Sequence, residues 1–100
     1  MDIVNIVFAP AAAQDIEEIG DYIYAENPAA AIRFIVGLRS RCSRVADAPN
    51  AGAPRFSLWP GLRSVVFRPY IIFYTVHDDS VRIERVLHGA RDIEAILGDD

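Results

Sequence analysis

The chain has 100 residues, 52% of them apolar, and a formal net charge of −4. This length suits one domain with a buried core and argues against a disordered chain. The apolar stretch Tyr70–Val76 spans seven residues, whereas a membrane-spanning helix needs about twenty. The beginning, Met1–Ile3, lacks the basic region of a signal peptide. One cysteine excludes an intrachain disulfide, and no glycine-rich phosphate loop or His/Cys cluster is present, so we expect a cytoplasmic protein without metal or cofactor.

All ten basic residues are arginines, and they are distributed unevenly along the chain. Residues 1–32 contain six acids and no arginine, and residues 33–68 contain seven arginines and one acid. The last stretch, residues 69–100, contains three arginines and seven acids. The acidic total argues against general nucleic-acid binding, although the middle third leaves a local basic patch open. We interpret the middle third as the exposed side of a helix, a loop and a strand, which face the acidic first helix. The absence of lysine is interpreted as the composition of a GC-rich genome.

The first half of the chain predicts a strand followed by two helices. Residues Ile3–Phe8 are mostly apolar, which is typical of a strand buried on both faces. Apolar side chains recur at helical spacing over Pro10–Ala25. Asn27 and Pro28 close this helix and open a second, which runs to about Asp47. Two apolar-striped helices with a short connection predict an antiparallel α-hairpin.

The second half predicts a loop, three strands and a short helix. Proline and glycine mark Ala48–Gly61 as a loop. The strands are predicted at Leu62–Arg68, Tyr70–Val76 and Val81–Leu87, joined by short links into an antiparallel meander. Ala90–Leu97 predicts a short terminal helix. The order β-α-α-β-β-β predicts an α+β domain in which the hairpin packs across one face of a four-stranded sheet, as a single domain over residues 1–100.

The middle strand of the meander is apolar on both of its faces. One alternate set contains Tyr70, Ile72 and Tyr74, and the other contains Ile71 and Phe73. One helical hairpin covers only one face of a sheet. The other face therefore needs a second cover, either the terminal segment or a partner.

Several side chains outside these patterns have alternative interpretations. Cys42 lies on the apolar stripe of the second helix and is expected to be a core thiol. Trp59 either holds its loop against the core or anchors an interface. The acidic side of the first helix, with Asp15, Glu18 and Asp21, is either solvated or faces arginines of the second helix or of a partner.

Three stretches of the chain, in this order and at these spacings, carry a resemblance to a known family. The first runs from Ala9-Pro10 through the helix to Asn27-Pro28, the second is Pro49–Arg55 with Pro60–Ser64, and the third and most specific is Tyr70–Tyr74 with Arg85–Asp92. Together they resemble the ParE branch of the RelE/ParE superfamily, toxins of type II toxin–antitoxin modules. The resemblance covers Phe8–Leu97, with two departures: Ala9 stands where the family usually has Ser or Thr, and lysine is absent.

The resemblance implies a fold and a partner. The fold is RelE/ParE-like, with an α-hairpin on a small, mainly antiparallel sheet and a short C-terminal helix, in agreement with the element order above. The partner is a ParD-like antitoxin with a DNA-binding N-terminal half and a disordered C-terminal segment that wraps the toxin in a hetero-oligomer. Contact with DNA is then expected only through the antitoxin. The expected antitoxin contacts are these aromatic and apolar residues: Tyr22, Phe34, Trp59, Tyr70, Ile72 and Tyr74.

The superfamily contains two activities. ParE-like members bind and poison DNA gyrase, whereas RelE-like members are ribonucleases that cut messenger RNA on the ribosome. RNA cleavage needs a base for the 2′-hydroxyl, cations for the phosphate and an acid for the leaving oxygen. RelE-like sites crowd lysine, arginine and a terminal Tyr or His on the sheet, and this chain has no lysine. We therefore expect a gyrase-binding inhibitor without catalytic residues, with a ribonuclease or an inactive homologue that only binds antitoxin as alternatives.

Candidate contact residues follow from these alternatives. The expected target-binding residues are Arg63, His88 and Arg91. In a ribonuclease, His88 would be the acid and Arg68 and Arg91 would clamp the phosphate, with no clear general base. Two neighbouring acids, Glu84 and Asp92, would repel that phosphate. His88 also has a structural interpretation, as a side chain that hydrogen-bonds a loop carbonyl at a strand end.

Overall fold

The computed structural model describes residues 5–98, so Ile3 and Val4 of the predicted first strand lie outside the described residues. The strands in this part of the chain are β1 (Asn5–Phe8), β2 (Ala53–Pro54), β3 (Arg63–Phe67), β4 (Tyr70–Val76) and β5 (Ser80–His88). The helices are α1 (Pro10–Glu26), α2 (Pro28–Asp47) and α3 (Ile93–Leu97), and a 3₁₀ turn follows α2 at Pro49–Ala51. None of the helices within residues 5–98 is long and apolar enough to cross a membrane.

The strands form one sheet in the order β1-β5-β4-β3-β2. β1 pairs in parallel with β5, and the other neighbours are antiparallel. This arrangement confirms the predicted α+β class and the succession of a strand, two helices and an antiparallel meander. The sheet has one strand more than predicted, because Ala53–Pro54 within the predicted loop pairs with Arg63 and Ser64. A strand of two residues has no periodic pattern from which it could be predicted.

One residue ends α1 and begins α2, as predicted. The Asn27 N–H donates to the Ile23 carbonyl and closes α1. The Asn27 side chain accepts a hydrogen bond from the Ala30 N–H at 3.1 Å, and Pro28 occupies the first turn of α2. Ala9 makes no side-chain cap at the start of α1. The short connection between the helices thus comes from capping chemistry that the sequence displays.

Both faces of β4 are covered, each by a different part of the chain. Ile72 and Tyr74 are fully buried in the cluster beneath the α-hairpin. On the opposite face, Phe73 is fully buried with Leu62 and Leu87, and α3 and the loop before β3 pack against this cluster. The terminal segment and the loop therefore provide the second cover that the apolar pattern of β4 requires.

The expectation that the first strand is buried on both faces is wrong for β1. Val7 is 44% exposed and Phe8 is 38% exposed, while Ile6 packs against the core. β1 lies at the edge of the sheet, with β5 as its one neighbour in residues 5–98. An edge strand keeps more solvent contact than a central strand of the same composition, and sequence alone does not distinguish the two.

Tyr74 joins the centre of the sheet to the segment that follows α2. Its hydroxyl donates a hydrogen bond to the Pro49 carbonyl at 2.7 Å and accepts one from the Gly52 N–H at 3.0 Å. A Cβ atom at Gly52 would overlap that hydroxyl, so the close approach requires glycine. Burial raises the pKa of Tyr74, and the Gly52 hydrogen bond and the charges of Arg63 and Arg41 offset part of this rise.

Cys42 provides a test of the packing beneath the hairpin. It is 1% exposed, which confirms the predicted core thiol, and burial raises its pKa from 9.0 to about 11. We expect an aromatic disulfide reagent at about pH 8 to label the native chain at least about 100-fold more slowly than the chain in urea, because the two-unit rise alone lowers the thiolate fraction by that factor.

The same shift makes stability depend on pH. The folded chain holds the Cys42 proton more tightly than the unfolded chain does. The contribution of this difference to the free energy of unfolding is constant below pH 9.0 and is lost as the pH rises towards about 11. Urea unfolding across this interval measures the loss, and a Cys42→Ala variant, which has no thiol to titrate, serves as the control.

In the labelling experiment, equal rates for the folded and unfolded chains would contradict the burial of Cys42.

Candidate target-binding site

A cavity of about 630 Å³ opens between α1 and the ends of β4 and β5. The residues that line it are Asp15, Glu18, Ile19 and Tyr22 from α1, and Pro69, Tyr70, Val86, His88 and Arg91 from β4, β5 and the turns beside them. Two of the predicted target-binding residues, His88 and Arg91, thus share a cavity with two of the predicted antitoxin contacts, Tyr22 and Tyr70. This cavity is the candidate functional site.

Asp15 joins the two walls of the cavity. It is 8% exposed, and its carboxylate accepts hydrogen bonds from Arg85 Nε at 2.7 Å and Arg85 Nη2 at 2.9 Å. The same carboxylate accepts a third hydrogen bond from the Val86 N–H at 3.0 Å. The hydrogen bond to Asp15 raises the pKa of Arg85 above its usual value, so the guanidinium stays charged. A two-pronged ion pair of this kind holds α1 against β5 in one orientation.

The sequence-based placement of Asp15 on an outer acidic side of α1 is wrong. Asp15 follows Ala12 by three residues and precedes Ile19 by four, so it lies on the apolar stripe of α1. That spacing was the available signal, because a carboxylate on a buried stripe requires a partner. Its partner lies on β5, far away in the chain, so the sequence does not identify it.

Contact between the acids of α1 and arginines of α2, one of the predicted alternatives, is not formed. Within residues 5–98 the carboxylate–arginine pairs are Asp15–Arg85 and Glu84–Arg82. Glu18 instead accepts a hydrogen bond from the Gln14 side chain at 2.9 Å, on its own helix. The charge of Glu18 therefore remains available at the cavity.

His88 lies at the end of β5 with its side chain exposed. Its Nδ1 accepts a hydrogen bond from the Ala90 N–H at 3.0 Å, so the expected bond to a loop carbonyl is wrong. Because Nδ1 accepts, the neutral ring carries its proton on Nε2. The ring lies edge-on to Tyr70, with centroids 5.7 Å apart and an interplanar angle of 84°. His88 is thus oriented by the turn on one side and by an aromatic ring on another.

The two tyrosines form the aromatic part of the cavity. Tyr70 contacts Phe34 edge-on at a centroid distance of 5.4 Å, which fixes its ring against α2. Burial raises the pKa of Tyr70, and the neighbouring Tyr22 adds to the rise. Tyr22 itself is 73% exposed and is accessible to a partner.

Arg63 and Arg68 do not join this cavity. In the sheet register, His88 pairs with Tyr70 and Arg63 pairs with Tyr74, so Arg63 lies at the opposite end of β4. Arg68 is exposed and is not among the residues that line the cavity. The residues expected for target binding are therefore divided between two surfaces, and the arrangement expected for a ribonuclease lacks one of its phosphate clamps here.

Three of the expected antitoxin contacts are buried in the domain itself. Ile72 and Tyr74 are fully buried, and Phe34 is 8% exposed. Ile72 and Tyr74 lie on the central strand beneath the hairpin, and Phe34 lies on the inner side of α2, so their burial does not support the predicted contact with an antitoxin. Trp59 is 36% exposed, and it lines a cavity with residues of β4 and β5.

The acids expected beside His88 lie elsewhere. Glu84 is buried and paired with Arg82, and it lines a separate cavity of about 450 Å³ under the loop before β3. Asp92 caps α3, where its side chain accepts a hydrogen bond from the Ala95 N–H at 3.1 Å. The carboxylates at the candidate site are therefore those of α1. In the described part of the chain, no group of three or more His, Cys, Asp or Glu side chains is placed to hold a metal ion.

Comparison with known proteins identifies the family. Residues 6–93 match the family described as "ParE toxin of type II toxin-antitoxin system, parDE". The chain is 34% identical over 87 residues to Toxin RelE2 of Caulobacter vibrioides, and the match covers 87% of this chain and 97% of that protein.

Solved structures share the fold at low sequence identity. The chromosomal ParDE TA system from P. aeruginosa gives a TM-score of 0.73 at 21% identity, covering 86% of this chain and 96% of that chain. YafQ from E. coli strain BL21(DE3) gives a TM-score of 0.63 at 18% identity, covering 95% of this chain and 99% of that chain. These matches confirm the RelE/ParE-like fold predicted from the sequence.

The ion pair of Asp15 can be tested by its effect on stability. Asp15→Asn keeps a similar shape but leaves Arg85, whose side chain is 24% exposed, without its counter-charge. We expect the free energy of unfolding to fall by about 2–3 kcal/mol, at or below the lower end of the range for breaking a fully buried pair, because Arg85 keeps some solvent contact. Urea unfolding followed by circular dichroism gives the value.

The matched control is Asp21→Asn, which removes an exposed carboxylate from the same helix. It is expected to change stability by less than about 0.5 kcal/mol. Similar losses in both variants would show that Asp15 acts through the helix charge and not through Arg85.

Proposed function

Since the chain belongs to the ParE toxin family of type II toxin–antitoxin systems, we propose that it inhibits growth by binding and poisoning DNA gyrase through the cavity that contains His88 and Arg91. A ParD-like antitoxin neutralises the toxin by forming a hetero-oligomer with it. The proposed action is protein binding, in which the toxin itself makes and breaks no covalent bond.

The mixed charge of the cavity carries this proposal. Asp15 and Glu18 line the same cavity as His88 and Arg91. Glu18 repels an entering phosphate, whereas RNA cleavage needs cations at the phosphate and a base opposite the acid. Two tyrosines beside a histidine and an arginine instead have the composition of a protein-binding surface, where aromatic and arginine side chains contribute most of the affinity.

The opposite face of the sheet supports the same function. Around the buried residue Phe73, this face is filled by apolar side chains of the neighbouring strands and of α3. Ribonuclease chemistry on a sheet requires an open cluster of charged side chains. Apolar side chains fill the area where β4 and β5 meet α3. This area therefore has the composition of a packed core and not of a ribonuclease site.

We expect His88→Ala and Arg91→Ala each to weaken the inhibition of gyrase about ten-fold, because each removes an exposed contact at the cavity. The matched controls are His77→Ala and Arg33→Ala, which remove exposed side chains of the same types outside the cavity. These controls should inhibit as the parent chain does. The measurement is the supercoiling of relaxed plasmid by purified gyrase over a series of toxin concentrations.

The alternative function is a RelE-like ribonuclease, and one observation favours it. His88 is exposed beside Arg91, so an acid and a cation share the cavity. Expression without antitoxin distinguishes the two functions: a gyrase poison induces the DNA-damage response and leaves messenger RNA intact. Rapid cleavage of transcripts within translated codons, with supercoiling unaffected, would reject the gyrase proposal.

The exposed apolar surface around the hairpin supports a docking site for the antitoxin. A groove of about 590 Å³ lies between β1, α1 and α2, with Phe8, Ile16 and Ile35 among its lining residues. On α2, Ile32 is 65% exposed and Val36 is 62% exposed. Because both faces of β4 are covered within the domain, we propose that the antitoxin segment covers this groove and the adjoining side of α2.

Hydrogen exchange in the toxin–antitoxin complex tests this docking site. Amides of β1 and of α2 near Val36 should exchange at least about ten-fold more slowly in the complex, whereas β4 changes little because it is already buried. Val36→Glu should weaken antitoxin binding, since it introduces a charge into an apolar contact. Ser57→Glu, which introduces the same charge at an exposed position of the loop before β3, away from α2, is the control. Protection confined to β4 and β5 would contradict the proposal.

A further inference from the structure

Three arginines, one on α2, one directly after β2 and one on β3, donate hydrogen bonds to uncharged groups of β3 and of the segment beside it. Their hydrogen bonds run from Arg41 Nε to the Val66 carbonyl at 3.1 Å, from Arg55 Nε to Ser64 Oγ at 2.9 Å, and from Arg63 Nη1 to the Gly52 carbonyl at 3.0 Å. We call Arg41, Arg55 and Arg63 the arginine edge. Because these bonds orient the side chains without neutralising them, the edge presents three ordered positive charges.

The arginine edge forms no ion pair with a carboxylate in the described part of the chain. Asp47 is the one acid among residues 33–68, and it is exposed at the end of α2. A guanidinium that uses one N–H in the domain retains further donors in a planar arrangement suited to a carboxylate or a phosphate. The edge therefore fits an anionic ligand.

Two partly exposed aromatic rings lie in the loop that follows Arg55. Phe56 is 52% exposed, with Arg63 Cζ at 5.4 Å from its ring centroid, and Trp59 in the same loop is 36% exposed. Arg63 lies opposite Tyr74 in the sheet register. Arg55 is bonded to Ser64, the residue after Arg63. Successive side chains of a strand point to opposite faces, so the side chains of Ser64 and Arg63 point to different faces of the sheet. The charges thus flank both sides of one sheet edge.

We propose that the arginine edge binds the phosphodiester backbone of a single-stranded nucleic acid, with Phe56 and Trp59 as stacking surfaces for its bases. Guanidinium groups form two-pronged hydrogen bonds with phosphate, and aromatic side chains beside a basic track stack bases without regard to sequence. A flexible single-stranded nucleic acid can contact arginines on both sides of the sheet edge, whereas a rigid acidic protein surface contacts only one side. The inference goes beyond the gyrase contact and does not depend on it, because His88 lies at the other end of β4.

Trp59 provides a direct probe, because it is the one tryptophan of the chain. Titration with oligothymidylate or oligouridylate of about twelve nucleotides should quench its fluorescence in a saturable manner. With three phosphate contacts at about 0.7 per contact, the logarithm of the affinity should fall against the logarithm of salt concentration with a slope of about −2. Comparison of oligothymidylate with oligouridylate shows whether the arginine edge binds single-stranded DNA, single-stranded RNA or both.

Substitution of the arginines tests which residues carry the binding. Arg55→Gln and Arg63→Gln should each weaken binding about ten-fold, the loss expected for one charge-assisted contact, and reduce the salt slope by about 0.7. Arg33→Gln, which removes an exposed arginine elsewhere on α2, is the matched control. Urea unfolding of each variant verifies that the domain is intact, and fluorescence anisotropy of a labelled oligonucleotide gives a readout that does not use Trp59.

Saturable binding of DNA, RNA or both, with these dependences on salt and on the two arginines, supports the proposal. Absence of binding at low salt overturns it, and so does binding that Arg55→Gln and Arg63→Gln leave unchanged. Preferential binding of polyglutamate also overturns it, because the edge would then fit an acidic protein segment. Supercoiling assays of the same variants separate this result from the gyrase proposal, which predicts no change for Arg55→Gln.

Discussion

Asp15 and Arg85 are 70 residues apart in the chain and form the contact on which the arrangement of the domain depends. The carboxylate lies on the apolar stripe of α1 and accepts three hydrogen bonds from Arg85 and the Val86 backbone. Two desolvated charges add little net stability compared with an apolar pair, but an unpaired one is costly. The pair therefore selects one orientation of α1 on β5, because any other orientation leaves a buried charge without its partner.

Two surfaces follow from this orientation. With α1 held on β5, Tyr22 and Glu18 face His88 and Arg91 across the proposed gyrase-binding cavity. The hairpin leaves the β1 edge partly uncovered, which opens the groove proposed for the antitoxin. Towards the β2 edge of the sheet, on the same face as the hairpin, Tyr74 holds the segment after α2 against β4, and the arginine edge lies beside it. The surfaces proposed for the target, the antitoxin and the nucleic acid thus lie on different parts of one small domain.

The elements that sequence predicted well are those with local signals. The predicted bounds of the central strand, Tyr70–Val76, agree with β4, and Asn27 caps α2 as its side-chain chemistry predicts. Cys42 is buried because it shares a helical stripe with other apolar residues. Of the candidate site, the sequence identified His88, Arg91, Tyr22 and Tyr70 as separate candidates, but not their common cavity. It also assigned Ile72 and Tyr74 to an antitoxin surface, because an apolar pattern does not distinguish a central strand from an exposed one.

Periodicity, capping residues and three short motifs were therefore sufficient for the helices, the meander, the domain class and the family. The helices, strands and turns depend on residues within a few positions of one another, and the family resemblance depends on three such stretches in order along the chain. The solvent exposure of β1, the pairing of β2 and the partner of Asp15 depend on neighbours that are distant in the chain. The division of the arginines between the cavity and the opposite sheet edge has the same origin. Strand order and the docking of α1 are set by long-range packing and by the need to pair a buried charge, so only the tertiary structure decided which charged residues share a surface.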